Sequence, residues 1–378
     1  MTDSNATLDS YDRETDEHAT DDTDPSTQSM TDTVDNRSEI VFVTDAQDCN
    51  PNGNPLDENR PRRDPITNQA VVTDVRLKRY LRDQLDADGH GVFVKKTGDE
   101  SEVRARLALD VLGDVTDAED VEKITDIRDD FLDAATDVRY FGATLSFNAD
   151  TDEPLLDAVA DAFEGGNYTG PVQFSPARSL NAVEENEESN TLTSVIATQD
   201  DKKTGGFDLD DNRLKYAIFP FHGLVDENGA NDTKLTATDV ERLDTLCWRA
   251  MKNQTISRSK VGQEPRLYVR VEYATDGYHV GGLHNGLDLD DDHSKPDAEL
   301  RNVTDATLDA TAFVDRLASA SDHVETVHVA GNEYLDVSYD GEQDWTAAEF
   351  ADLLDAHGVP TSEIDVYRDF EKTLPAGE

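Results

Sequence analysis

The sequence predicts an α+β fold: a ferredoxin-like, RRM-type βαββαβ core with helical insertions and an acidic C-terminal lobe. Three observations predict it. Short apolar runs and two amphipathic helices follow one another in the order strand, helix, several strands, helix, strand. The first 38 residues are Asp, Thr and Ser with almost no aliphatic side chains. Beyond residue 275 the chain is again very acidic, with only scattered cations.

Residues 1–38 cannot bury enough surface to offset chain entropy, which predicts a disordered acidic tail. The run at 39–44 (EIVFVT) suits a central strand. After a loop rich in Pro, Asn and Gly, Thr73 or Asp74 is placed to cap a helix over 75–85. Leu77, Tyr80, Leu81 and Leu85 form one face of that helix, Arg79 and Arg82 the opposite face, and Arg76 and Lys78 its edges. The stretch 99–138 reads as acidic helix and 138–145 (VRYFGATL) as a strand. Further strands are expected at 172–175, 193–198 and 215–222. A second capped helix over 238–253 buries Val240, Leu243, Leu246, Cys247, Ala250 and Met251, and 267–273 alternates with period two. One strand pair near 326–339 and two amphipathic helices complete a C-terminal lobe over 276–378, packed on a core spanning 39–275. There is no internal repeat.

The 378-residue chain carries a formal net charge of −49. Its abundant Asp and scarce Lys suit a multimolar-salt cytoplasm, where acidic surfaces stay solvated. Near molar salt the Debye length is about 3 Å, and counterion release supplies little affinity. Binding to a polyanion would then rest on short-range Arg–phosphate pairs, backbone N–H donors and stacking. Cys49 and Cys247 lie far apart without metal-type spacing and read as free thiols of an intracellular protein. No apolar run approaches the length of a membrane helix, and the N-terminus lacks the pattern of a signal peptide.

In so acidic a chain, clustered cations stand out. The first cluster joins the loop 50–55 (NPNGNP), including Asn52 and Gly53, to Arg60, Arg62 and Arg63 and then to Arg76, Lys78, Arg79 and Arg82. Asn, Gly and Pro favour tight turns that point N–H groups outward, and a helix N-terminus follows; together these suit phosphate. The competing reading is an Asx-turn loop whose arginines pair with Asp57, Glu58 and Asp64. A second cluster is Arg249, Lys252, Arg258, Lys260 and Arg266, equally compatible with cations neutralising a helix C-terminus. The segment 199–212 carries Lys202 and Lys203 and a Gly pair, suiting a projecting hairpin or a solvated connector. The acidic run 288–293 lacks calcium-loop spacing, His222 and His279 have no nucleophile pattern, and nothing singles out Asp45 or Asp48. No catalytic residue, metal site or cofactor is therefore expected.

The segments NPNGNP, DENRPR, VVTDVRLKRYLRD, DVRYFGA, GPVQFSPARSLN, FPFHG and SRSKVGQEPRLYVRVEY occur in that order. Together they resemble the backbone subunit of the CRISPR Cascade surveillance complex, the Cas-seven family in its type I-B (Csh-two) form. The resemblance implies an RRM-like palm with helical fingers and a thumb hairpin. It implies a cytoplasmic, non-catalytic, RNA-binding protein that oligomerises along a CRISPR guide RNA (crRNA) in antiviral defence and meets target DNA through the guide. Implied partners are further copies of itself, Cas-five-type, large-subunit and processing-ribonuclease subunits, and a nuclease-helicase recruited to the DNA, with no membrane. It assigns Asn52, Arg60, Arg63, Arg76, Arg79, Arg178 and the segment 257–260, with Arg258 and Lys260, to RNA or its support, and puts Lys202 and Lys203 in the thumb. One departure is that Ser175-Pro-Ala-Arg178 lacks the aromatic and glycine expected before that arginine. A metal-dependent endoribonuclease on the same fold is the alternative, with Asp45 or Asp48 as its loop aspartate.

Overall fold

The computed structural model describes residues 33–95, 104–113, 115–145, 147, 153–186, 192–194, 207–209, 212–255, 260–290 and 295–375. Most of the expected acidic tail, the hairpin lysines and Arg258 lie outside the described residues.

The chain is a mixed α+β structure built on one six-stranded sheet. Its strands are β1 (Ser38–Cys49), β2 (Val172–Phe174), β3 (Leu214–Val225), β4 (Gln263–Tyr273), β5 (Val324–Gly331) and β6 (Thr361–Glu363). They lie in the order β6-β5-β4-β1-β3-β2. All neighbours are antiparallel except β5 and β6. Helix α1 (Asp74–Ala87) falls between β1 and β2 in the chain, and α2 (Ala237–Lys252) between β3 and β4.

Period-two alternation decides what each face of the sheet buries. Ile40, Phe42, Phe219, Phe221 and Tyr268 point to a core shared with Leu77 and Leu81 of α1 and Leu246 and Met251 of α2. Val41, Val43, Tyr216, Ile218, Leu267, Val269 and Val271 point the other way, onto Leu308, Phe313, Val314, Phe350 and Leu354. Both faces are therefore covered. A third cluster, centred on Phe93, Phe131 and Phe163, belongs to helices inserted between α1 and β2. Thr73 caps α1 by accepting from the Arg76 N–H, and Thr236 and Asp239 form a capping box on α2.

Two expectations are corrected. The stretch expected as a strand over 138–145 is helix Thr136–Phe141 followed by a short strand, Gly142–Thr144. Val138 and Phe141, three residues apart, both face inward, and the buried Asp137 carboxylate accepts from the Phe93 and Val94 N–H groups. That anchor makes a helix of a run whose apolar pattern suits either state. The strands near 326–339 are not partners. β5 joins the main sheet, whereas Asp336–Tyr339 sits in a separate four-stranded sheet between Thr307–Asp309 and Glu342–Thr346. The expected strand over 193–198 is described only as Leu192–Ser194, paired antiparallel with Phe207–Leu209.

Candidate nucleic-acid interface

The loop after β1 is built inward rather than outward. Asn50 and Asn52 are buried. Asn50 Nδ2 donates to the Asn59 carbonyl (2.7 Å), and Asn52 Nδ2 to Thr73 Oγ1 (3.2 Å). Tyr80 Oη donates to the Pro51 carbonyl (3.2 Å), and Lys260 Nζ donates to the carbonyls of Asn50 (2.5 Å) and Pro51 (3.1 Å). Gly53 begins a hairpin in which strand Gly53–Asn54 pairs with Arg60–Pro61. A Cβ on Gly53 would lie 2.8 Å from the Asn59 backbone carbonyl oxygen as well as against its side chain, so any larger residue would force the hairpin to shift. Asn52 and Gly53 thus shape the loop from within, and Lys260 buttresses it. Burial, with Arg76 nearby, lowers the Lys260 pKa to about 8.

The arginines that follow are differently placed. Arg60, Arg62 and Arg63 line an open groove of about 640 Å³ together with Leu56, Pro61, Pro65 and Glu185. Arg60 is half exposed and 3.9 Å from Glu58, and Arg63 is 3.5 Å from Glu185. Among the described residues no carboxylate lies within 4 Å of Arg62 or Arg76, and the guanidinium of Arg76 stands 5.8 Å from the centre of the Tyr80 ring. The pairing with Asp57, Glu58 and Asp64 is thus only partly made. Asp64 goes to Arg178 (2.9 Å) instead, which brings Arg178 beside the same loop. Beyond the paired strands Leu192–Ser194 and Phe207–Leu209, Asn212 Nδ2 donates to the Glu58 carbonyl (3.3 Å) and Arg213 Nη1 to the Asp48 carbonyl (2.9 Å).

The remaining α1 cations divide. Arg79 is half exposed and pairs with Asp83 (2.8 Å), one turn away. Lys78 is committed to Asp74 (3.7 Å) and Gln173 (2.7 Å). Arg82 is committed to the buried Asp137 (2.9 Å) and lies over the Phe141 ring. Arg82 therefore docks the inserted helices onto α1, and Lys78 ties α1 to β2. In the second cluster, Arg249 binds Asp88 through two bonds of 2.8 and 2.7 Å and covers the Phe370 ring, while Arg266 pairs with Asp45 at 2.8 Å. Lys252 stands 3.9 Å from Glu264.

Asp45 is buried with Arg266 and Tyr216 Oη, and burial, outweighing Arg266, lifts its pKa to about 6. Asp48 is exposed with a positive φ of 47°. Among the described residues no group of three or more His, Cys, Asp and Glu is placed to hold a metal ion. His222 Nε2 donates to Glu39 Oε1 (2.8 Å) and its ring stacks on His284 (centroids 4.7 Å apart). The buried Glu39 also accepts from the Gly281 and Leu283 N–H groups and from Tyr273 Oη. This array, which sequence spacing did not reveal, fastens β1 to the start of the C-terminal region. Among the described residues no helix is long and apolar enough to cross a membrane.

A family model described as CRISPR-associated protein Cas7 matches residues 36–311. A relative from Haloferax volcanii, described as CRISPR-associated protein Cas7, is 58% identical over 334 residues, covering 88% of this chain and 97% of its own. A solved chain of a "CRISPR RNA-guided surveillance complex, pre-nicking" is similar over 89% of this chain and 99% of its own, with 12% identity and a TM-score of 0.47. A second, from a "CRISPR RNA-guided surveillance complex", covers 85% and 99%, with 14% identity and a TM-score of 0.41.

Proposed function

The chain belongs to the CRISPR-associated Cas7 family, and from that membership we propose that it is a non-catalytic, cytoplasmic backbone subunit of a type I-B Cascade complex. In this reading it binds CRISPR guide RNA, oligomerises along it for antiviral DNA interference, and meets target DNA through the guide. Further copies of the chain and Cas-five-type, large-subunit and processing-ribonuclease proteins are its partners. The main sheet with α1 and α2 is the RRM-like palm, the segment around Leu192–Leu209 the thumb, and the inserted helices the fingers. We read 39–275 as the core, 276–378 as a lobe packed on it, and 1–38 as a disordered acidic tail.

One observation carries the RNA reading: in a chain of charge −49, arginines converge on one loop and helix start, and Arg62 and Arg76 have no carboxylate within 4 Å among the described residues. The covered sheet supports a particular mode. RRM domains stack bases on an open sheet face, whereas here that face is closed by the C-terminal region. RNA would run over the loops at the end of β1, held by Arg60, Arg62, Arg63, Arg76, Arg79 and Arg178, with Lys202, Lys203 and Arg258 as further contacts. Asn52, Gly53, Lys78, Arg82 and Lys260 would act as support beneath it.

Fluorescence anisotropy with labelled guide RNA in multimolar KCl tests this reading. Charge-assisted contacts contribute about 1.5–3 kcal/mol each. The variants R60A, R62A and R76A should therefore each weaken retention roughly tenfold or more with unchanged unfolding midpoints. Undiminished binding by the triple variant would overturn the assignment. Site-specific RNA cleavage with Mg²⁺, lost on Asp48→Ala, would favour the endoribonuclease instead.

A further inference from the structure

Two aliphatic side chains stand almost wholly in water: Leu56 is 96% exposed and Ile66 is 91% exposed. Both sit on turns fixed by hydrogen bonds. The Leu56 N–H donates to Asn54 Oδ1 (3.2 Å), while the Asp57 and Asn59 N–H groups donate to the Asn54 carbonyl (3.0 and 2.9 Å). The Ile66 and Thr67 N–H groups donate to Asp64 Oδ1 (2.9 and 3.3 Å), and the Asn68 N–H to the Asp64 carbonyl (3.0 Å). A tip already held in shape loses little entropy on docking. Exposed aliphatics on rigid turns, flanked by arginines, make a basic-rimmed apolar anchor.

A complementary surface lies at the far edge of the sheet. A groove of about 320 Å³ between α2, β5 and β6 is lined by Ile364 and Thr373, with Glu241 and Glu363 at its rim. Both glutamates are exposed, and among the described residues neither has a cation within 4 Å. The other acids there are already matched, Asp244 by Arg270 and Asp369 by Lys372. The Leu56 tip is tied to the start of β3 through Asn212. β3 and β6 are separated by β1, β4 and β5, which at ~4.8 Å per strand puts roughly 19 Å between them.

We propose that the Leu56 and Ile66 tips of one copy dock into this acid-rimmed groove of a second copy. The aliphatics meet Ile364, and the basic flank faces Glu241 and Glu363. The two surfaces differ and lie apart, the tip beside the start of β3 and the groove at the β6 edge, so the contact is heterologous and leaves a free tip and a free groove at the two ends of every assembly. This inference rests on the backbone-subunit reading and adds to it the surfaces by which copies join.

The test compares wild type, a tip variant at the turn outside the arginine-lined groove (I66D) and a groove variant (E241K with E363K) by analytical ultracentrifugation in multimolar KCl. One RNA has room for a single copy and another for several. Both variants should bind the short RNA within about twofold of wild type, keep the wild-type unfolding midpoint and form no arrays on the long RNA. Mixed, they should yield two-copy species that grow no further, since one intact tip meets one intact groove. Wild-type arrays from either variant would overturn the docking and leave the RNA reading standing. Loss of short-RNA binding by the tip variant would show that the tips contact RNA rather than protein. Failure of wild type to bind the short RNA would remove the backbone reading, and this inference with it.

Discussion

At the scale of single residues, two cations that look alike in sequence do different work. Lys260 supplies the donor for the Asn50 and Pro51 carbonyls beneath the loop, whereas Arg76 rests against Tyr80 with no carboxylate beside it among the described residues. Leaving buried acceptors unpaired costs about 1–3 kcal/mol. Lys260→Met should therefore lower the unfolding midpoint and RNA retention together, whereas Arg76→Ala should lower retention alone. Thermal unfolding alongside RNA anisotropy checks the contrast; equal midpoints for the two variants would contradict it. The clustering of arginines was legible in the sequence. Which of them would be spent on Asp88, Asp45 and Asp137 was not, because those carboxylates lie far away in the chain or on another element.

At the scale of elements, α1 was read almost correctly from its apolar spacing: Leu77, Tyr80, Leu81 and Leu85 are all buried. Its cationic side was less legible, since the inserted helices dock there through Arg82 and β2 is tied there through Lys78. The helix Thr136–Phe141 was misread for a related reason. Its buried Asp137 accepts from Arg82 and from the Phe93 and Val94 N–H groups, partners about 40 or more residues away that no local pattern announces. Removing a carboxylate that carries this many buried donors costs about 3–5 kcal/mol. Asp137→Ala should accordingly loosen the inserted helices from α1. Hydrogen exchange should rise first around 93 and 104–163; protection unchanged there would contradict the anchoring role.

At the scale of the whole molecule, one sheet sits between two cores, and buried charge stitches it together. Arg270 of β4 is buried and bonded to Asp244 of α2 (2.6 and 2.8 Å), while Glu272 meets His328 of β5 (3.3 Å) and Asn36 (2.9 Å). Burial opposes ionisation of Glu272, but His328, Arg270 and Asn36 outweigh it and lower its pKa from 4.5 to about 2. A carboxylate lowered on folding contributes stability that is fully present above its unfolded pKa and is lost as pH falls through the folded one. The Glu272 contribution should thus be complete above about pH 4.5 and fade toward pH 2. Glu272→Gln should be less stable than wild type at neutral pH, with the difference shrinking across that window in denaturant titrations. A constant difference down to pH 2 would contradict it.

The sequence by itself determined the element order, the apolar faces of both long helices and the alternation along β1, β3 and β4, because these depend on the 3.6- and 2-residue periods of the local backbone. It also located the basic loop and, through five or more ordered motifs, the family. Only the tertiary structure decided that both faces of the sheet are closed, that β5 and β6 extend it, and which arginines remain available for phosphate. Those outcomes depend on contacts between segments more than a hundred residues apart, such as Arg178 with Asp64 and Arg249 with Asp88. Charge pairing is short-ranged in space but unconstrained in sequence, so in a chain rich in Asp every cation has many candidate partners and only the fold selects one.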